Sequence, residues 1–222
     1  MHRLPEPELM DDAAQAQAYA AADFSEPNAL FVNFYRSRFG ALPFEGYVVD
    51  LGCGPADILM RFARAYRACR LHGVDGSGPM LHIARERVLE ASLSERIDLF
   101  QCTLPQICLP RSGYDAVISN SLLHHLADPQ SLWTAIKRLS AIDAPILVMD
   151  LVRPPGHPEV ARLMRAYAAD VPAILARDFK RSLLAAYTVD EVIEQIAVVE
   201  LDYLDVQVVS DRHFVVAGRY RG

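Results

Sequence analysis

The chain has 222 residues, 52% of them hydrophobic and 23% charged, a composition that supplies a real core and excludes a disordered polymer. Its length suits one sizeable domain with a small appendage and not two full domains. With 22 basic against 28 acidic residues, a net charge of −6 and no basic run, nucleic acid is not an expected partner.

No apolar run approaches the roughly 18–20 residues of a membrane span, and the N-terminus has no apolar leader core, so no membrane span is expected and a cytoplasmic location is. Cys53, Cys69, Cys102 and Cys108 form no C-x-x-C pair, and no His stands at zinc-finger spacing. Neither a disulfide framework nor a metal site is expected on that count.

The first 40 residues read as two helices, about 8–22 and 27–39, the second carrying Phe31, Phe34, Tyr35 and Phe39. They are expected to form a helical cap, residues 1–40, on a main domain over 41–222. Within that domain short apolar runs alternate with helical patterns, the signature of βαβ units. Tyr47–Leu51 is a buried-strand run, and Pro55 opens a helix with Ile58, Leu59, Phe62 and Tyr66 on one face. Leu71–Asp75 is a second strand, after which Ser77 caps a helix whose stripe is Met80, Leu81, Ala84 and Val88. Ile97–Gln101 and Tyr114–Asn120 are the third and fourth strands, joined by a Pro-containing connection without a long helix. Asp128-Pro129 reads as an N-cap and a first-turn proline, and Pro145–Leu151 is the fifth strand.

The alternation then breaks. Arg153-Pro-Pro-Gly-His-Pro leads into two helical stretches, about 158–170 and 172–187, which read as an insertion (154–187) lying over the sheet as a substrate cap. Thr188-Val-Asp-Glu191 is a capping box. Tyr203–Val209 and Arg212–Arg219 flank a turn at Ser210-Asp211 and should pair antiparallel. The expected fold class is α/β: a doubly wound, mostly parallel seven-stranded sheet ending in an antiparallel hairpin.

Asp50-Leu-Gly-Cys-Gly-Pro-Ala-Asp57 sits where a strand turns into a helix, and Gly52 and Gly54 let a ligand approach the backbone. Asp75, at the end of the next strand, is placed to accept from both hydroxyls of a ribose, so the two features together argue for an adenosine-containing ligand. Charge then discriminates. A dinucleotide puts its pyrophosphate on the helix N-terminus, where the carboxylate of Asp57 would repel it. Asp50, Asp57 and Asp75 together suit a ligand with cationic ammonium and sulfonium groups, which leaves an NAD-type oxidoreductase as the weaker alternative.

Val48-Val-Asp-Leu-Gly-Cys-Gly-Pro-Ala-Asp57, Gly73-Val-Asp-Gly-Ser-Gly-Pro-Met-Leu81 and Tyr114-Asp-Ala-Val-Ile-Ser-Asn-Ser-Leu-Leu-His-His-Leu126 resemble the successive motifs of class I S-adenosylmethionine-dependent methyltransferases. The resemblance covers about residues 45–153. It implies that S-adenosylmethionine is the cofactor and S-adenosylhomocysteine the product. It also implies that Asp50, Gly52 and Gly54 meet the methionine end, Asp75 with Gly76 beside it the ribose, and Met80 the adenine, while Asn120 lines the passage to the substrate. Where the family commonly supplies an acid to the adenine amino group, this chain has only Gln101, Cys102 and Thr103. A different use of the same cofactor, and a module that binds it without turnover, are the alternatives within this fold.

On the substrate side, His124-His125 follows the fourth strand, and a neutral His124 would take a proton from a hydroxyl or amine acceptor; the alternative is a structural turn with one His capping. Adjacent histidines diverge on a helix and make no metal pair by themselves. Asp150 and Arg153 end the fifth strand, where Arg153 would orient a substrate carboxylate or else form a structural ion pair with Asp150. His124, Asp150, Arg153 and Asn120 are expected to face one cavity. Tyr19, Phe24, Phe31, Phe34 and Tyr35, with Tyr167 and Phe179, would roof it for an apolar or aromatic small molecule, or else be helix-packing core.

Overall fold

The computed structural model describes residues 1–7, 9–40 and 46–222. The domain boundary expected at residue 41 and the helix start expected at residue 8 lie outside them. Seven strands form one sheet in the order β3-β2-β1-β4-β5-β7-β6. They are β1 (Tyr47–Leu51), β2 (Arg70–Asp75), β3 (Ile97–Gln101), β4 (Ala116–Asn120), β5 (Pro145–Leu151), β6 (Asp205–Val208) and β7 (His213–Arg219). β1 to β5 are mutually parallel, whereas β7 runs antiparallel to β5 and to β6. The expected α/β class and terminal hairpin are both present.

Helices α3 (Asp57–Ala65), α4 (Gly78–Glu90) and α2 (Ser25–Phe39) cover one face of the sheet. Helices α5 (Gln130–Leu139) and α8 (Val189–Val198) cover the other. β5 is buried at every position, as a central strand with both faces covered must be. The cap comprises α1 (Ala13–Ala21), α6 (His157–Tyr167) and α7 (Ala173–Ala185); Leu151, Val160, Leu163, Leu183 and Ala186 form a small core of its own over the end of β5.

Local chemistry accounts for the boundaries that differ from expectation. α1 starts at Ala13 because Asp12 caps it, its carboxylate accepting from the Gln15 N–H at 2.8 Å. α3 starts two residues past Pro55 because Ala56 takes a left-handed φ of 67°. Asp128 accepts from the Gln130 N–H at 3.0 Å, which moves Pro129 from the first turn to the cap. Tyr114 joins Ser140 in an isolated bridge and lies outside β4. The Thr188–Glu191 capping box forms as expected.

The aromatic cluster divides. Phe31 and Tyr35 are fully buried against Phe62, and Tyr35 also meets Tyr66 and Phe39 edge-on or tilted, so these rings are packing core. Phe34 packs on the same core. Tyr19, Phe24, Tyr167 and Phe179 line the cavity described next.

Candidate functional site

A cavity of about 610 Å³ opens at the carboxyl ends of β1, β2, β4 and β5, where a doubly wound sheet delivers loops to a ligand. Its floor is the glycine loop. Gly52 has φ 75°, and a Cβ there would lie 2.9 Å from the Leu122 side chain, so only glycine fits. The N–H groups of Gly52 and Cys53 both donate to the Val74 carbonyl, tying the loop to the end of β2. The Gly54 N–H donates to Asp75 Oδ2 and the Ser77 N–H to Asp75 Oδ1, both at 2.8 Å. These two donors fix the Asp75 carboxylate at the cavity wall, where each oxygen keeps a lone pair for a ligand hydroxyl. Burial nonetheless raises its pKa, the backbone donors opposing that shift.

Behind the loop a recess of about 40 Å³ is bounded by Asp50, Gly52, Gly54, Asp57 and Asn120. Asp50 Oδ1 and Asn120 Oδ1 are buried there without hydrogen-bond partners among the described residues. Burial, with Asp75 nearby, pushes the Asp50 carboxyl well above its usual range, so a cation or strong donor entering the recess would restore its charge. Two orphaned acceptors beside a glycine loop fit the ammonium end of S-adenosylmethionine. Met80, Gly76, Cys102 and Thr103 line the cavity as expected.

Two expected contacts are corrected. Gln101 turns away from the cavity, its amide donating to the Gly76 carbonyl at 3.2 Å at an exposed edge. Asp57 borders the recess, but its carboxylate is paired with Arg87 at 2.9 Å, and Arg87 also holds the Pro55 and Ala20 carbonyls. Its charge is matched within the protein and is not left for the ligand.

Beyond Asn120, β4 runs into a 3-10 turn, Leu123–His125, that carries both histidines into the cavity wall. His124 Nδ1 lies 2.5 Å from Asp150 Oδ1, and that oxygen also accepts from the Leu151 N–H at 2.6 Å. A carboxylate only accepts, so Nδ1 carries a proton, and Nε2 is buried with no hydrogen-bond partner among the described residues. Burial depresses the His124 pKa, yet Asp150 and Glu6 together outweigh it and the net shift is upward. The Asp150 carboxyl is held below its ordinary value by His124 against its own burial. His125 is pushed down to about 3 by burial and by the His124 charge.

The expectation that His124, Asp150 and Arg153 face one cavity holds for His124 alone. Asp150 stands behind His124 and acts through it. Arg153 lies off the cavity: its guanidinium bonds Glu191 at 2.6 Å and its N–H donates to the Tyr187 carbonyl, because the Val152–Tyr187 bridge turns the chain away from β5. Its ion-pair partner is Glu191 and not Asp150.

Residues that sequence reasoning missed complete the wall. The N-terminal segment is a strap: Arg3 donates to the carbonyls of Ala185, His124 and Leu126, Leu4 to Leu184, and the Ser77 hydroxyl to the Met10 carbonyl. It brings Glu6 beside both histidines. No spacing in the sequence signals that. Arg212 lines the cavity, stacked 3.5 Å over the Tyr167 ring, next to His213. A signal existed for this pair, since an antiparallel last strand places its first residues beside Leu151 at the carboxyl end of β5.

Comparison with known proteins agrees with this geometry. Residues 48–142 match the family described as a methyltransferase domain. Trans-aconitate 2-methyltransferase of Variovorax paradoxus is 36% identical over 132 residues, covering 59% of this chain and 48% of that protein. An uncharacterised methyltransferase of Mycobacterium bovis is 35% identical over 98 residues, covering 44% of this chain and 45% of that one. The chain thus spans about half the length of the curated relatives it matches. Among solved structures, a putative S-adenosylmethionine-dependent methyltransferase of Methanococcus maripaludis superposes with a TM-score of 0.70 at 17% identity, over 99% of this chain and 98% of that one. The plantazolicin methyltransferase BpumL, bound to a substrate analogue and S-adenosylhomocysteine, gives 0.70 at 11% identity over 95% of each chain. Residues 48–142 are thus similar to the methyltransferase-domain family, and the fold is that of solved S-adenosylmethionine-dependent methyltransferases.

Proposed function

We propose that this protein transfers a methyl group from S-adenosylmethionine to a small-molecule acceptor held in the 610 Å³ cavity. The observation that carries the reading is that the glycine loop with Asp75 and the imidazole of His124 line the same cavity. Asp75 takes the ribose, Asp50 and Asn120 the ammonium end, Gly52 and Gly54 the backbone approach, and Gly76, Met80, Cys102 and Thr103 the adenine side. When bound, the cofactor supplies an electrophilic methyl on a sulfonium.

The protein's part is orientation and exclusion of water, which such a displacement needs more than it needs a dedicated base. The N-terminal strap and helices α1, α6 and α7 act as the cap that excludes water, with Tyr19, Phe24, Tyr167 and Phe179 as its apolar lining. His124, steadied by Asp150, meets the acceptor's nucleophilic atom. Arg212, which lines the cavity where Arg153 does not and is bonded to Asp211 at 3.1 Å, offers its guanidinium as the anchor, which makes an acceptor with an apolar body and a carboxylate the first to try. Trans-aconitate, named for four of the relatives, belongs in the panel beside phenolic and aliphatic acids.

The experiment is product analysis of the purified chain with such a panel. S-adenosylhomocysteine released in step with a methylated acceptor supports the proposal. A product in which another part of the cofactor has moved, or tight cofactor binding with no turnover on any acceptor, favours the alternatives on this fold.

A further inference from the structure

Glu6, His124 and His125 offer one carboxylate oxygen and two imidazole nitrogens, all within 4.8 Å of one another. Glu6 Oε1 lies 3.5 Å from His124 Nε2 and 3.4 Å from His125 Nδ1. A divalent ion about 2.1 Å from each donor requires tetrahedral edges of about 3.4 Å, so the two carboxylate–imidazole separations already match. Both ring nitrogens are buried and have no hydrogen-bond partner among the described residues. Leaving two such acceptors unmade carries a desolvation cost that a metal bond would remove.

The outer contacts are those that aim imidazoles at a metal. His124 donates its other ring N–H to Asp150, His125 makes its hydrogen bond to the Pro7 backbone, and Glu6 is steadied by the Ser182 hydroxyl at 3.0 Å. Three protein donors leave at least one position open, and both histidines line the cavity. The adjacent histidines alone make no chelate, and the third donor arrives only through the strap.

The geometry points to a divalent transition-metal site of the zinc class, formed by Glu6, His124 and His125 with its open position toward the acceptor. Two imidazoles and a carboxylate select such ions over magnesium or calcium, which favour all-oxygen shells. This deepens the methyl-transfer reading and rests on it for the ion's role: His124 would then meet the acceptor through the ion, an oxygen of the acceptor binding the open position, losing its proton to solvent more readily and presenting a lone pair toward the cofactor.

The test uses the untagged 222-residue chain, stripped with chelator and titrated with Co²⁺ followed by its visible absorption, and with Zn²⁺ by calorimetry. S-adenosylmethionine affinity is measured on the same samples. The expected result is one ion per chain, with affinity reduced at least about tenfold in both Glu6→Gln and His125→Ala, about 10–100-fold in Asp150→Asn, and cofactor affinity within twofold of wild type throughout. Glu6→Gln is isosteric and keeps the Ser182 contact, so it reads the site even where a histidine variant folds poorly. Absence of stoichiometric uptake by folded wild type, or equal uptake by Glu6→Gln and His125→Ala, overturns the inference. Metal uptake by a chain that binds no S-adenosylmethionine overturns the methyl-transfer reading instead and leaves the metal site standing.

Discussion

At the cofactor end of the cavity the controlling contacts are local: Gly54 meets Asp75 across 21 residues of chain and Asp75 meets Ser77 across 2. At the acceptor end they are remote, with His124 held to Asp150 across 26 residues, to Arg3 across 121, and Glu6 to Ser182 across 176. One βαβ unit shapes the first end from its own backbone, and its glycines and carboxylate have little freedom to vary. The second end is assembled from a strap, a 3-10 turn, two cap helices and the last strand. A protein built this way keeps its cofactor chemistry while its acceptor chemistry changes with the pieces brought over it.

The largest expected effect tests the acceptor end. His124→Ala should lower kcat roughly 10²–10⁴-fold while cofactor affinity stays at the wild-type value. Single-turnover kinetics and calorimetry separate the two quantities, and a parallel fall in both would erase the distinction between the ends.

A second expectation concerns stability at the same end. His213 is buried, with Ser210 Oγ 2.9 Å from its Nδ1, and burial with Arg212 beside it lowers its pKa from 6.5 to about 4. The folded state therefore leaves His213 neutral in a window where the unfolded chain binds its proton. The stability it contributes is present above pH 6.5 and falls as pH drops toward 4, by roughly 2–3 kcal/mol. Urea titrations at stepped pH measure this, and His213→Gln should flatten that part of the curve.

At the cofactor end, Asp75→Ala removes charge-assisted hydrogen bonds and should weaken S-adenosylmethionine binding by about 1.5–3 kcal/mol with turnover of the bound complex little changed. Asp50→Asn is the finer probe. Asp50 is buried with an orphaned oxygen and a raised pKa, so the substitution should stabilise the ligand-free protein by about 1 kcal/mol while lowering cofactor affinity. Thermal unfolding with and without cofactor reads both signs, and a variant less stable in both states would show Asp50 to be structural.

The same local-versus-remote division decided what was legible in the sequence. The seven strands, the Ser77 cap, the Thr188–Glu191 box and the Gly52–Gly54–Asp75 constellation each rest on residues within one or two elements, where spacing and capping chemistry speak directly. Gln101 misled because alternation along β3 puts its side chain on the outer edge, which a strand end one residue out of phase would reverse. Arg153 misled because the chain leaves β5 by bridging to Tyr187, a pairing no local pattern encodes. Phe31 and Tyr35 show the same ambiguity from the other side: an aromatic stripe reads alike whether it meets Phe62 or a ligand, and here it meets Phe62. Glu6 was invisible because a strap without periodicity carries it 176 residues along the chain to Ser182.

The account stands most directly on which adenosine compound enters beside Asp75. Calorimetric titration of the wild-type chain with S-adenosylmethionine, S-adenosylhomocysteine and NAD decides it. One equivalent of either sulfur compound should bind, and NAD should give no heat, since the buried acceptors of Asp50 and Asn120 beside the glycine loop call for a cation and would repel a pyrophosphate. Binding of NAD in preference to both sulfur compounds would contradict the assignment.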